Sequence, residues 1–303
     1  MSLQSAQDAR RPGYYGRPIV KPPEWTALIP TYFWAGGWAG ASATLALGAR
    51  LSGKPRAARA LCVAAAAGSA ISAFCLIADL KKPARFHHML RVFKPTSPMS
   101  VGVYLFAIFS GGTMTAAASE LSGLLPPLGR LGEIVAGLTG PFMSVYTSVL
   151  LGDTVMPAWH NARTTMPALF AATSASTAAG MGLCVVPAAE AKAVRRLAVV
   201  AAPAVTVALA RLKAELGEFQ HEAYQRGKAA AFARAARLLN LGGLGCALFA
   251  RRSSRAAKLA GAMLLGAGLC ERFAVYHAGK ISAEDPSFTI ARRAEVPHGA
   301  TSY

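Results

Sequence analysis

A chain of 303 residues that is 53% hydrophobic and 15% charged, with a mean hydropathy of +0.36, has too little polar sequence to coat a soluble globule of its size. Its net charge of +18 would suit a nucleic-acid binder, but the Lys and Arg residues sit at the ends of apolar runs and in connecting loops, with no DNA- or RNA-binding module between them. Nucleic acid is therefore excluded as a partner, and membrane topology and anionic lipid account for the basic loops.

The first 24 residues are polar and rich in Arg, Pro and Gly, lack the apolar centre of a cleavable signal, and read as an arm. Five long uncharged runs follow: Leu28 to Gly48, Ala60 to Ala78, Val101 to Ser119, Ile134 to Gly152 and Thr164 to Ala189. About 18 such residues suffice to cross the ~30 Å hydrocarbon layer as a helix. Two shorter runs come next. Leu197 to Ala210 contains Pro203, and Leu238 to Ala250 contains Asn240 and follows Arg234 and Arg237. Flanking cations that snorkel extend such runs, or the segments line a polar cavity. An eighth run, Ala256 to Ala278, is interrupted by Glu271 and Arg272. The expectation is an all-α integral membrane protein, a bundle of eight transmembrane helices over residues 25–281, with a tail over 282–303.

Cys62, Cys75, Cys184, Cys246 and Cys270 are isolated within apolar runs, without the close spacing of iron–sulphur or zinc ligands. The six histidines lie at helix ends or outside helices, so no facing pair is expected at depth to hold a b-type haem. Hence no resident metal or haem is expected.

An even number of crossings puts both termini on one side, side A, with the loops near 79–97, 152–163 and 211–231. Side B receives four short basic turns. Lys and Arg divide as 20 on side A and 12 on side B. Side A has the larger total and side B the denser charge, so orientation stays open, with side B slightly favoured as cytoplasmic. The chemically rich segments all fall on side A: Asp79-Leu-Lys-Lys-Pro, Phe86-His-His-Met-Leu-Arg and Trp159-His-Asn. A partner or pocket on that face explains the asymmetry.

The same segments carry a resemblance. Tyr14-Tyr15-Gly16 through Lys21-Pro22-Pro23, Trp25, Tyr32 and Gly36-Gly37-Trp38-Ala39-Gly40 resemble the start of the NrfD/polysulfide reductase membrane-subunit family. Ala78-Asp79-Leu80, Met89 to Lys94 and Ser97-Pro98-Met99-Ser100 are similar to its second helix junction. Tyr146-Thr147 with Pro157 and Trp159, and Glu271-Arg272-Phe273 with Asp285-Pro286, continue the match in order. The resemblance implies eight helices without cofactors and a quinone pocket on one face, with quinone or quinol as an exchangeable substrate. It also implies a docked ferredoxin-like iron–sulphur subunit and a molybdopterin-type catalytic subunit, at the cell (plasma or inner) membrane. The family's site histidine near the start of the first helix falls at Tyr32, which can hydrogen-bond a quinone carbonyl but cannot act as an imidazole base. Its site tyrosine falls at Tyr146.

The candidate quinone-binding residues are Tyr32, Tyr146 and His160, with Asp79 as the catalytic proton acceptor. Each has a plainer reading. The tyrosines could belong to an interfacial belt, Asp79 could pair with Lys81, Lys82 or Arg85, and His160 could be a surface-loop histidine. Arg234 and Arg237 share a helix face as snorkelling cations or as the lining of a hydrated path. Glu120 and Glu133 read as interfacial carboxylates near Arg130, and Gly36-x-x-x-Gly40 as helix packing. The leading function is a quinone-reactive anchor. A transporter or pore is the alternative, disfavoured because charges gather at helix ends and not at the midplane. A purely structural anchor is the third.

Overall fold

The computed structural model describes residues 19–289, Arg252 excepted. The expectations for the arm, the tail and the two termini therefore fall largely on residues 1–18 and 290–303, outside the described residues. Among the described residues there is no strand, and eight long helices follow one another: α1 (Leu28–Leu51), α2 (Pro55–Ala78), α3 (Pro98–Ser122), α4 (Pro126–Gly152), α5 (Met166–Val185), α6 (Lys192–His221), α7 (Gly227–Phe249) and α8 (Ser254–Glu284). Short helical turns at Pro83–Leu90, Pro157–His160 and Glu222–Gln225 fill the side A loops.

The helix starts are written locally. Proline occupies the first turn of α2, α3, α4 and α5, where a missing N–H costs nothing and the fixed φ suits the helix. Ser97 and Ser253 cap α3 and α8 by accepting from the backbone N–H groups of Ser100 and Ala256. The fifth helix stops short of its apolar run, because Val186 turns extended before Pro187. The sixth is broken near its end by Gly217, whose φ of 68° is open mainly to glycine.

Six helices, α2 to α6 and α8, are long and apolar enough to cross a membrane. The protein is an all-α membrane protein. Its outer surface carries Phe74, Leu138, Phe142, Val200 and Leu238, each at least 63% exposed, a surface suited to lipid and not to water. The two remaining long helices fall below that measure for different reasons. Arg234, Arg237 and Asn240 lower the hydropathy of α7. Trp, Tyr and Gly lower that of α1, which packs against α2, α4, α5 and α8 at the centre of the bundle.

The interior has two zones. Toward side A it is aromatic, built on Tyr32, Phe33, Phe109, Trp159 and Phe170. Toward side B it is rich in alanine, with Ala46, Ala57, Ala116, Ala179, Ala198 and Ala260. Small residues there allow backbones to touch: a Cβ added at Gly40 would fall 2.4 Å from the Gly140 carbonyl oxygen, which fixes the α1–α4 crossing.

Candidate functional site

The start of α1 is held in place before any site is formed. Trp25 stacks on Trp159 at 5.7 Å and meets Phe33 edge-on at 6.3 Å. Trp159 in turn donates its indole N–H to the Val275 carbonyl at 2.8 Å, and Tyr276 donates to the Trp25 carbonyl. The side A ends of α1, α8 and the Pro157–His160 turn are thereby locked together.

Within that frame the structure brings Tyr32 and Tyr146 together. They lie 114 residues apart in the chain, yet their hydroxyl oxygens are 3.3 Å apart. Tyr32 is fully buried against Phe33 and Phe106, whereas Tyr146 is half-buried. Gly102 on α3 makes the room: a Cβ there would fall 2.0 Å from the Tyr146 ring. A hydroxyl pair consumes one O–H as the donor between them and leaves the other O–H to be satisfied elsewhere. The pair therefore offers one hydrogen-bond donor and spare lone pairs in an apolar, aromatic setting.

Asp79 and His160 flank this pair without bonding to it. Asp79 ends α2 half-buried, and one of its oxygens, Oδ1, accepts from the Thr26 N–H at 3.1 Å and the Thr26 hydroxyl at 2.5 Å. The alternative pairing with Lys81, Lys82 or Arg85 is not formed. Lys81 turns instead to Glu24, which also binds Lys21; the hydrogen bonds from the two lysines, Lys21 first, hold the Glu24 carboxyl down to about 2. The second oxygen of Asp79 has no hydrogen-bond partner among the described residues. His160 is engaged on both ring nitrogens. Nδ1 lies 3.0 Å from the Gly152 carbonyl, and Nε2 lies 2.9 Å from an Arg163 guanidinium nitrogen. An arginine can only donate, so Nε2 is the acceptor and Nδ1 carries the proton in this arrangement. A role for His160 at a ligand requires exchange of one of these bonds.

Glu120 and Glu133 pair with Arg50 at the side B end of α1, and not with Arg130. The Arg50–Glu133 distance is 3.0 Å, and Glu120 binds the same guanidinium.

The second half of the bundle holds what the sequence reading missed. Glu271 and Arg272 are fully buried midway along α8. Arg272 donates to Glu271 at 2.7 Å, to the Phe170 carbonyl at 3.2 Å and to Ser174 at 3.3 Å, and lies 3.5 Å over the Phe170 ring. Polar groups are thus not confined to helix ends. The signal was two adjacent opposite charges in an otherwise apolar run, which a buried pair explains better than a helix terminus does. Beside them, α5, α6, α7 and α8 enclose a cavity of about 620 Å³ that includes neither Tyr32, Tyr146, Asp79 nor His160 in its wall. Among the described residues, no three His, Cys, Asp or Glu side chains gather as metal ligands would.

A family model described as polysulfide reductase, of the NrfD type, matches residues 12–285. The chain belongs to the polysulfide reductase family. No curated protein matches the chain. Family membership and the lipid-facing helices together make it a multi-pass membrane protein of an oxidoreductase family. The match takes in all eight helices of this polysulfide reductase family member, the tyrosine pair and the buried ion pair included.

Proposed function

We propose that this chain is the quinone-reactive membrane anchor of an oxidoreductase complex in the cell membrane, exchanging electrons between the quinone pool and a docked ferredoxin-like iron–sulphur subunit that serves a molybdopterin-type catalytic subunit. The observation that carries the reading is the Tyr32–Tyr146 hydroxyl pair, set at the side A end of α1 and α4 with one O–H to spare. That O–H is the donor a quinone carbonyl needs. The aromatic surround of Phe33 and Phe106 suits a flat ring. A quinol bound there loses two electrons and two protons and becomes quinone. The electrons pass to the iron–sulphur partner, and the two protons leave one after the other to water, the free oxygen of Asp79 on the same face accepting each in turn. Reduction of quinone is the same sequence reversed. The chain itself is proposed to hold no resident metal or haem, in keeping with its scattered cysteines and engaged histidine.

A transporter or pore has the buried Glu271–Arg272 pair in its favour, since ionisable groups midway across a membrane often mark a path. Arg272 is, however, tied to a carboxylate, a carbonyl, a hydroxyl and a ring at once, which is the environment of a structural pair. Family membership favours the anchor.

The test compares quinol-coupled with dye-coupled activity of the intact complex. Tyr32→Phe or Tyr146→Phe removes one neutral hydrogen bond of about 0.5–1.5 kcal/mol, and quinol affinity is expected to fall roughly 2- to 13-fold. Asp79→Asn removes a proton acceptor and is expected to slow quinol turnover about 100- to 10,000-fold. Dye-coupled activity persists in all three. Unaltered quinol kinetics in all three variants would place the pocket elsewhere. Loss of dye activity as well would show failed assembly and a structural anchor.

A further inference from the structure

The cavity between α6 and α7 has an unusual charge balance. Lys213 on α6 and Arg234 and Arg237 on α7 converge on it from opposite walls, and all three side chains are exposed. Among the described residues, none of the three makes a salt bridge or a side-chain hydrogen bond. The cavity's one carboxylate, Glu271, is already paired with Arg272. Three positive charges therefore stand uncompensated around one cleft. Arg234 and Arg237 are the eighth and eleventh residues of α7, roughly 10–15 Å into the helix at 1.5 Å per residue. Two arginines on one helix could snorkel to side A. A lysine facing them from a second helix instead makes a three-point cradle for an anion.

The rest of the wall says what kind of anion. Val205, Leu209, Leu264 and Val275 make it mostly apolar, so a small hydrated ion gains little from the body of the cavity. Tyr224 and Ser176, both more than nine-tenths buried in the wall, carry hydroxyls with no partner. Hydroxyl donors beside an apolar wall suit ester oxygens. Exposed Thr206 and Ala210 on α6 and exposed Arg234 on α7 show that the cleft reaches the outer surface of the bundle, where acyl chains can continue into the bilayer. A neutral quinone ring makes no use of three cations.

From this geometry we infer that the α6–α7 cleft is a binding site for one acidic phospholipid, its phosphate held by Lys213, Arg234 and Arg237 and its chains laid along the apolar wall. Basic pockets between membrane helices recognise anionic headgroups in this way. The site is distinct from the tyrosine pair and does not depend on the quinone reading.

The test uses the full chain in mild detergent, titrated with phosphatidylglycerol, with phosphatidylcholine and with inorganic phosphate, and followed by native mass spectrometry. One phosphatidylglycerol is expected to bind, with phosphatidylcholine at least tenfold weaker and inorganic phosphate unable to displace the lipid. At about fivefold per cation removed near a membrane surface, R234Q/R237Q should weaken phosphatidylglycerol binding about thirtyfold. R234K/R237K should keep it within a few fold, since charge and not guanidinium shape holds the phosphate. Equal binding of phosphatidylcholine would overturn the proposal, as would a R234Q/R237Q variant that binds as tightly as the parent. Full displacement by inorganic phosphate would reduce the site to a simple anion site and overturn it too. If R234Q/R237Q does not fold, the lipid preference of the unaltered chain and of R234K/R237K decides.

Discussion

The two halves of the bundle use the same glycine crossings but differ in how tightly they close. In the first, α1 and α4 cross at Gly40 and Gly140, and α3 and α4 cross at Gly112 and Gly132, backbone against backbone. The polar groups it holds include the two tyrosine hydroxyls near side A and the Arg50–Glu120–Glu133 cluster at the side B rim. In the second half, α8 packs closely on α5 and α7, but α6 stands off from α7 and leaves a cavity of about 620 Å³. Cohesion there adds polar ties to the glycine crossing of α5 on α8, at Gly180 and Gly261: the Glu271–Arg272 pair, the Asn240 side chain donating to the Ala202 carbonyl at 2.8 Å, and the clasp around Arg226. A half packed without a large cavity suits a single ring at a fixed position. A half closed by polar ties leaves room for a larger, softer occupant.

The contrast makes its largest prediction at Arg272. Replacing it with Leu leaves the Glu271 carboxylate buried without its counter-ion, which costs about 3–5 kcal/mol when a buried pair is broken on one side. Replacing both residues by Leu should recover most of that loss, because the uncompensated charge goes with its partner. Arg50→Leu in the first half should cost less, since Arg50 and Glu120 are 24% and 28% exposed at the side B rim and only Glu133 is left buried. Thermal unfolding of the three variants in detergent measures the order. An Arg272→Leu loss no greater than that of Arg50→Leu would remove polar ties as the basis of the second half.

A smaller effect separates the halves at glycine. In Gly40→Ala the new methyl meets a backbone oxygen at 2.4 Å, and backbone cannot swing aside. The expected cost is about 1–3 kcal/mol, as for overpacking elsewhere. A Cβ at Gly245 in α7 meets nothing within 4 Å. Gly245→Ala should therefore be neutral or stabilising by about 0.5–1 kcal/mol, from helix propensity alone. Equal melting shifts for the two substitutions would mean that the α1–α4 crossing is not what closes the first half.

The same contrast explains what the sequence made legible. Apolar runs report helices that bury or face lipid along their length, so each of the eight runs marks one of the eight long helices. Their charged ends were hidden, because Arg130 and Glu133 in α4 and Lys192 to Arg196 in α6 lie inside the helices they were expected to border. The tyrosine pair was reachable only through the family motif, since nothing local at Tyr32 announces a partner 114 residues away. For Asp79 the plainer alternative was a pairing with neighbouring cations, yet the chain leading into α1 supplies Thr26 from 53 residues upstream. The cavity was legible as one of two readings of the short runs in α6 and α7, and its size was not, because that arises from the spacing of the two helices. Glu271 and Arg272 were visible as a break in a run, and their pairing depends on α5 supplying the Phe170 carbonyl and Ser174.

The smallest effect is expected at Asp285, just beyond α8, where the second half is closed on side A. Its Oδ2 accepts from Arg226 at 2.8 Å, and its Oδ1 accepts from the Ser287 N–H at 2.9 Å and hydroxyl at 2.6 Å. Arg226 sits between α6 and α7, binds Glu222 as well, and lies 5.3 Å over the ring of the buried Phe288. Asp285 therefore ties the corner that joins α6 to α7 onto the end of α8. The Ser287 hydrogen bonds, with Arg226 behind them, hold its carboxyl below the usual 3.8. A carboxyl depressed in the folded state adds stability that is complete above its unfolded value and is lost as pH falls through the folded one. The clasp should thus be complete at neutral pH and be lost only as pH falls below 3.8. Asp285 is a third exposed, so water screens the pair and less than about 1 kcal/mol is at stake. Amide hydrogen exchange over residues 285–289, followed from pH 6 down to pH 3 and corrected for intrinsic rates, should show protection falling in that window. In Asp285→Asn protection should be lower throughout and free of that pH step. An Asp285→Asn variant as well protected at pH 6 as the parent would show that buried Phe288, and not the carboxylate, closes the corner.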